Sequence, residues 1–421
     1  MNIIVIGSGG REHTVIKKLA QSPEITKIYA LPGNGGIAAD AECVNIGATD
    51  IDGIVEFAKD HDIGYAVVTP DDPLALGAVD RLNELGIPCF GPTAAAAQIE
   101  ASKVFSKNLM KKYGIPTAAF EVFENASDAL DYVKTAPLPT VIKADGLALG
   151  KGVIIAETRE DALSAVKSIM EDGIFGKSGN RIVVEEFLTG PEVSVLAFTD
   201  GTTVKPMVSS MDHKRAHDGD EGLNTGGMGT VAPNPYYTAD IADVCMNTIF
   251  LPTIRAMKAE GREFRGCLYF GLMLTPNGPK VIEYNCRFGD PETQVVLPLL
   301  ESDLFTVMKA TTNGTLAETE VKFSDGAACC VVLASNGYPE KYEKGYEITI
   351  PEGIDGEVYV AGAKLEGGKL LTNGGRVLGA VATADDLKTA VKKAYAVADK
   401  IEFGNKYCRR DIGARALKAI K

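Results

Sequence analysis

The sequence predicts an α/β and α+β multidomain protein. An N-terminal open parallel α/β sheet precedes a central pair of α+β subdomains, and a small strand-rich C-terminal α/β domain follows. Three observations predict this. The first hundred residues alternate short apolar strands with helical stretches, and strands spaced by helices form parallel sheets with right-handed crossovers. From residue 102 the texture changes to hairpins and separate helices. At 421 residues the chain also exceeds what one core supports, so about two to four domains are expected. The boundaries are placed at 1–101, 102–326 and 327–421, with residues 122–188 an inserted lid subdomain of the second.

Composition narrows the function. A net charge of -13 excludes a nucleic-acid backbone as the main partner, because that contact needs clustered Lys and Arg. The eight cysteines form no C-x-x-C pair and no zinc spacing, and most sit in apolar runs as buried free thiols, which suits a reducing cytoplasm. The opening MNIIVIGSGG reads as a strand and turn with no leader, and no apolar run approaches a membrane span. A cytoplasmic monomer or weak oligomer acting on small molecules is expected, with no nucleic-acid or membrane partner.

In the first unit, strands at 2–6, 27–31, 65–69 and 88–91 end in the loops GSGG, PGNGG and PDDP. Ligands of open α/β sheets bind at such strand ends. A dinucleotide fingerprint would need glycine where Glu12 stands, and the 27–31 strand ends in Leu31-Pro32 without an acid for a ribose diol. A dehydrogenase is disfavoured; a compact phosphorylated sugar, its phosphate on helix N-terminal N–H groups, fits better.

In the second unit a helix at 103–113 leads to helices near 127–134 and 159–172, a strand at 181–188, two antiparallel strands from Glu192, and a helix near 241–260. Strands at 266–275 and 280–286 are joined by Pro276-Asn277-Gly278-Pro279, a turn signal. The third unit ends in a helix near 385–401.

Three stretches carry chemistry. Lys143 ends a strand and is followed by ADGLALGKGVII, whose glycines, Gly150 among them, let backbone N–H groups approach a ligand, with Lys151 at the end of the loop. Val183 to Leu188 runs through Glu185, Glu186 and Phe187 into a tip suited to an adenine edge, with Glu192 placed for ribose hydroxyls. On the strand VIEYNCR, side chains at i and i+2 share a face, which puts Glu283, Asn285 and Arg287 together and Ile282, Tyr284 and Cys286 opposite. Two oxygen ligands suit Mg²⁺ beside phosphates, and Arg287 is placed to stabilise a transferring phosphoryl group. A fourth polar run, DHKRAH to NTGGMG, suggests an anion-facing loop; His213 and His217 within it are expected to face solvent and bind no metal.

The order of these pieces resembles the ATP-grasp superfamily, and the successive segments GSGGREH, PGNGG, FGPTAAAAQIEASK, VEEFLTGPE, NTGGMG, VIEYNCRFGDPETQ and TNGGRV resemble the glycinamide ribonucleotide synthetase family. The resemblance spans nearly the whole chain. It implies a central ATP-grasp fold and a ligase that joins glycine to 5-phosphoribosylamine with ATP, in purine synthesis. It further implies that Lys103, Lys143, Gly150, Lys151, Glu185, Glu186, Phe187, Leu188 and Glu192 bind ATP, and that Glu283 with Asn285 holds Mg²⁺ or Mn²⁺. Arg287, Lys214 and Asp290 would be catalytic, and Gly10, Arg11, Glu12, Asn34, Gly35, Asp71, Asn224, Gly226, Gly375 and Arg376 would bind substrate. Asp71 stands where relatives often carry a longer Glu, and the strand 266–273 has no acid, which implies more water on the metal.

Chemistry requires that the glycine carboxylate be activated, since oxide is a hopeless leaving group. An acyl phosphate would do so without an enzyme nucleophile. The loop 145–152 would act as a lid that keeps water from this intermediate. The rival readings are another carboxylate-activating ATP-grasp enzyme of purine synthesis and a nucleotide-sensing module without turnover.

Overall fold

A computed structural model describes residues 1–147 and 152–420. The N-terminal unit is a five-stranded parallel sheet in the spatial order Glu42–Cys43, Lys27–Pro32, Asn2–Gly7, Ile63–Val68, Cys89–Phe90. The central strand is buried on both faces, with Ile3, Ile4, Val5 and Ile6 all fully enclosed, as a sheet covered by helices on both sides requires. Gly7 ends it at φ +127°, and a Cβ there would meet Glu12 Cγ at 2.5 Å. Glycine is obligatory at that turn. The helix Gly10–Leu19 starts immediately, and Glu12 accepts from the Gly9 N–H at 2.5 Å as its cap.

The central region holds two antiparallel four-stranded sheets. One orders Val204–Pro206, Glu192–Thr199, Gly266–Thr275 and Gly278–Asn285. The other orders Phe120–Phe123, Ile182–Glu186, Thr140–Ala144 and Val153–Ala156. Helices Ala126–Val133 and Arg159–Val166 pack on this second sheet through a small core of its own, built from Ala129, Val133, Ile142, Val166, Ile182 and Val184. The larger sheet shares its core with the N-terminal unit, where Phe198, Phe90 and Phe288 cluster. Truncating fully buried Phe198 would cost about 3–5 kcal/mol.

The last sheet carries Ala327–Ser335 and Arg376–Ala384 at its centre. It also takes in Met211–Asp212 and Gly229–Ala232 from the middle of the chain. Sequence pattern gave no sign of this, because a two-residue strand has no readable period. The helix Leu387–Lys400 covers one face with Ala390, Ala394, Val397 and Ala398. Seven cysteines are buried and Cys43 is exposed.

Three local expectations need correction. The strand expected over 181–188 stops at Glu186, leaving Phe187 and Leu188 beyond the ladder. His213 is buried rather than solvent-facing: Nδ1 lies 3.0 Å from the Gly229 carbonyl, and Nε2 accepts from the Gly413 N–H at 3.1 Å. The simple alternation along VIEYNCR fails at a bulge, since pairing shifts between Gly271 and Leu272. Val281 therefore enters the core and Ile282 turns to the cleft, while Tyr284 and Cys286 stay buried. Among the described residues no helix is long and apolar enough to cross a membrane.

Candidate active site

A cleft of about 500 Å³ opens between the two central sheets, and elements of the other units complete its walls. Lys103, Lys143, Glu185, Glu186, Phe187, Leu188, Glu192, Lys214, Asn224, Gly226, Asp71, Glu283, Asn285, Arg287 and Asp290 all line it. Gly150 and Lys151 lie outside the described residues. The near end of their loop is anchored: Asp145 accepts from Ser102 Oγ at 2.8 Å and the Val104 N–H at 2.9 Å, and pairs with Arg181. Lys103 Nζ donates to the Gly146 carbonyl at 3.1 Å.

One wall is cationic. Lys143, nearly buried at the end of its strand, lies 3.0 Å from Glu185 Oε2 and donates to the Ile282 carbonyl at 3.1 Å. Lys107 reaches the same oxygen at 3.1 Å. Burial pulls the Lys107 ammonium down to about 8, with Glu185 opposing. Glu185 Oε1 has no hydrogen-bond partner among the described residues. Glu186, also on the cleft, does not share this cluster: its carboxylate takes Lys280 at 2.7 Å and the Ala119 N–H at 3.0 Å.

The opposite wall is the strand Gly278–Asn285. Lys214 Nζ stands between two acids, 3.6 Å from Glu192 and 3.7 Å from Glu283. Glu192 lifts the Lys214 ammonium well above its ordinary range, with burial opposing and Glu283 adding. Burial would push the Glu283 carboxyl up, but Lys214, Lys143, Lys103 and Arg287 together bring it below its usual range. Glu283 is an ionised acid held among cations. With the Asn285 carboxamide oxygen it makes a pair of hard oxygen donors, which fits Mg²⁺ or Mn²⁺ shared with phosphates and water. Among the described residues no cluster of three or more His, Cys, Asp or Glu forms a self-sufficient metal cage.

Glu100 was missed by sequence reading. It sits near the end of the helix Ala94–Ala101, buried, and touches Arg287 at 2.9 Å, Asn285 Nδ2 at 3.0 Å and the Cys286 N–H at 2.7 Å. Burial pushes its carboxyl up and Arg287 pulls it back. A lone acid in an alanine-rich helix carries no pattern, so only the fold reveals it. Lys107 was missed likewise, one helical turn past Lys103.

Gly10, Arg11, Glu12, Asn34, Gly35, Gly375 and Arg376 are not among the residues lining this cleft, although Arg376 and Arg11 act on Asp290 at its wall. Arg376 donates to the carbonyls of Gly226 at 2.8 Å and Asp290 at 2.9 Å. Arg11 donates to the Phe288 carbonyl at 3.1 Å, and its Nε lies 2.5 Å from Glu12. Burial opposes ionisation of Asp290, yet Arg376 and Arg11 hold its carboxyl below the usual range. Gly10 abuts Gln294, since a Cβ there would meet Nε2 at 2.7 Å. Glu12 and Asn34 are engaged internally: Asn34 donates to Ser8 and Val360 carbonyls and accepts from the Gly36 and Ile37 N–H groups. Gly35 and Gly375 are close approaches, to the Leu365 backbone N and the Tyr338 ring.

Comparison with known proteins adds independent information. Residues 1–100 match the family described as phosphoribosylglycinamide synthetase, N domain, residues 101–293 its ATP-grasp (A) domain, and residues 328–415 its C domain. A phosphoribosylamine–glycine ligase of Halalkalibacterium halodurans is 48% identical over 419 residues, covering 99% of this chain and 97% of that one. The crystal structure of the phosphoribosylamine–glycine ligase of Thermotoga maritima superposes with a TM-score of 0.87 at 37% identity, over 98% of this chain and all of that one. A Hydrogenobacter thermophilus biotin carboxylase domain, in complex with MgADP and bicarbonate, superposes at 0.75 with 16% identity, over 97% and 91% of the two chains, a likeness of fold alone. The chain belongs to the phosphoribosylglycinamide synthetase family.

Proposed function

We propose that the chain is an ATP-dependent ligase joining glycine to 5-phosphoribosylamine, a reaction of purine biosynthesis, and that it acts through glycyl phosphate. The full-length identity to phosphoribosylamine–glycine ligases supports the overall reaction. The observation that carries the intermediate is the charge layout. Lys103, Lys143, Lys214 and Arg287 converge on one cleft whose acids Glu283 and Asp290 stay ionised among them.

A glycine carboxylate oxygen attacks the γ-phosphorus of ATP, the bond from that phosphorus to the bridging oxygen breaks, and ADP leaves. Phosphoryl transfer of this kind needs positioning and charge neutralisation rather than a protein nucleophile. Lys143 and Lys103 hold the phosphate chain, and Arg287 faces the transferring group. Glu283 and Asn285 Oδ1 would hold Mg²⁺ or Mn²⁺, which when bound neutralises phosphate charge. Asp290 receives the glycine ammonium. The ribosylamine nitrogen then attacks the glycyl carbonyl carbon, the bond to the phosphate oxygen breaks, phosphate leaves, and the nitrogen loses a proton. Holding the partners together contributes on the order of 7–11 kcal/mol.

Phosphate release tests the substrate assignment: it requires ATP, glycine and phosphoribosylamine together. Release with formate or bicarbonate in place of glycine would instead indicate a different carboxylate-activating ligase.

A further inference from the structure

We propose that Glu100 is a positioning residue that fixes the orientation of the Asn285 carboxamide, so that its oxygen and not its nitrogen faces the metal and phosphate cleft. The proposal rests on the placement of a divalent cation at Glu283 and Asn285. An asparagine amide can sit either way round, and its hydrogen-bond partners decide which end points where. Here Nδ2 lies 3.0 Å from Glu100 Oε1 and 3.0 Å from the Tyr284 carbonyl. Both partners are acceptors, so that end must be the amino group, and Oδ1 is left for the cleft.

Glu100 does this from another unit of the fold. Its helix, Ala94–Ala101, follows the last strand of the N-terminal sheet, whereas Asn285 ends a strand of the central sheet. Three donors converge on the one carboxylate: Asn285 Nδ2, the Cys286 N–H at 2.7 Å and Arg287 at 2.9 Å. No arrangement of a neutral amide satisfies them. Rotating Gln to offer its oxygen to Cys286 turns its NH₂ toward Asn285 and Arg287, and the opposite rotation turns it toward the Cys286 N–H. Glu100→Gln therefore preserves volume and removes the acceptor pattern. The same exchange weakens the hold on Arg287, whose Nε has no partner among the described residues and which keeps its 3.2 Å bond to the Phe288 carbonyl.

Partners that orient a metal ligand typically change metal affinity by about 10–100-fold. The test measures Mn²⁺ binding to the full-length protein with ADP present, by electron paramagnetic resonance, and metal-free ADP binding by calorimetry. For E100Q, Mn²⁺ affinity is expected to fall at least about tenfold, with metal-free ADP affinity kept within about twofold of the wild type because the nucleoside side of the cleft is untouched. Asn285→Ala should show the same pattern. If N285A loses Mn²⁺ affinity and E100Q does not, the positioning role is overturned while the metal site stands. If N285A binds Mn²⁺ normally, both the site and the role fall. Should E100Q fail to fold, Glu100→Asp carries the comparison, since it keeps the acceptors and retracts them. Unchanged Mn²⁺ affinity in E100D and a loss in N285A would then overturn the role.

Discussion

The ammonium of Lys143 lies 3.0 Å from Glu185 Oε2, an oxygen it shares with Lys107 at 3.1 Å. One carboxylate serving two ammonium groups leaves the trio with a net positive charge, and all three residues line the cleft. In the proposed mechanism Lys107 offsets Glu185 and so leaves the Lys143 charge for phosphate.

Lys107→Met is expected to weaken ATP binding about tenfold, the scale of one charge at partly screened distances, and to leave adenosine binding unchanged. Isothermal titration with the two ligands separates the effects. The Lys107 ammonium sits at about 8, lowered by burial, so its charge is present below that pH and lost above it. Wild-type ATP affinity should decline as pH rises through about 8, and the decline should vanish in K107M.

Lys214 stands between Glu192 and Glu283, and a divalent cation held by Glu283, as proposed, would compete with it for that acid. Lys214→Met should therefore raise Mn²⁺ affinity in the nucleotide-free protein while lowering kcat on the order of 10²-fold, as loss of one charge-stabilising donor does. Mn²⁺ titration and steady-state rates check the two halves separately. A kcat loss with unchanged Mn²⁺ affinity would mean that Lys214 does not shield Glu283.

His213 is held neutral in the interior, with burial pulling its imidazole down to about 4 and Arg409 and Arg415 adding to the effect, while the Gly229 carbonyl and Asp220 oppose it. The unfolded chain, near 6.5, binds a proton that the folded chain refuses. Stability is then full above pH 6.5 and falls as pH drops toward 4, by up to about 3 kcal/mol. Urea unfolding across that window, compared with His213→Gln, measures it; the variant should lose this part of the slope.

Gly375 passes so close to the Tyr338 ring that a Cβ would lie 2.1 Å from Cδ2. The Tyr338 hydroxyl accepts from the Gly226 N–H at 3.1 Å, and Arg376 ties Gly226 to Asp290. Gly375→Ala should displace the ring and destabilise the protein by about 1–3 kcal/mol, and raise KM for phosphoribosylamine more than KM for ATP. Equal changes in both KM values would detach this contact from the sugar side.

The cleft was legible in the sequence wherever chemistry and period coincide. The i, i+2 spacing brought Glu283 and Asn285 to one wall, Arg287 joins them from beyond the strand's end, and the strand leading to Lys143 stood out by its glycine loop. Glu100 was invisible because it reaches the cleft from the N-terminal unit, on an alanine-rich helix with no distinguishing pattern, and Lys107 because its contact with Glu185 is made by folding and not by spacing along its own helix. The bulge at Ile282 was equally hidden, since register comes from the partner strand, not from the strand itself. His213 shows the reverse failure: a polar run read as exposed encloses a residue that the fold buries.

Glycine labelled with ¹⁸O in its carboxylate tests the acyl phosphate most directly, because the attacking oxygen must leave with the phosphorus. Phosphate released during turnover with ATP and phosphoribosylamine should carry one ¹⁸O atom per molecule from doubly labelled glycine. Unlabelled phosphate alongside product formation would contradict activation of glycine by phosphoryl transfer.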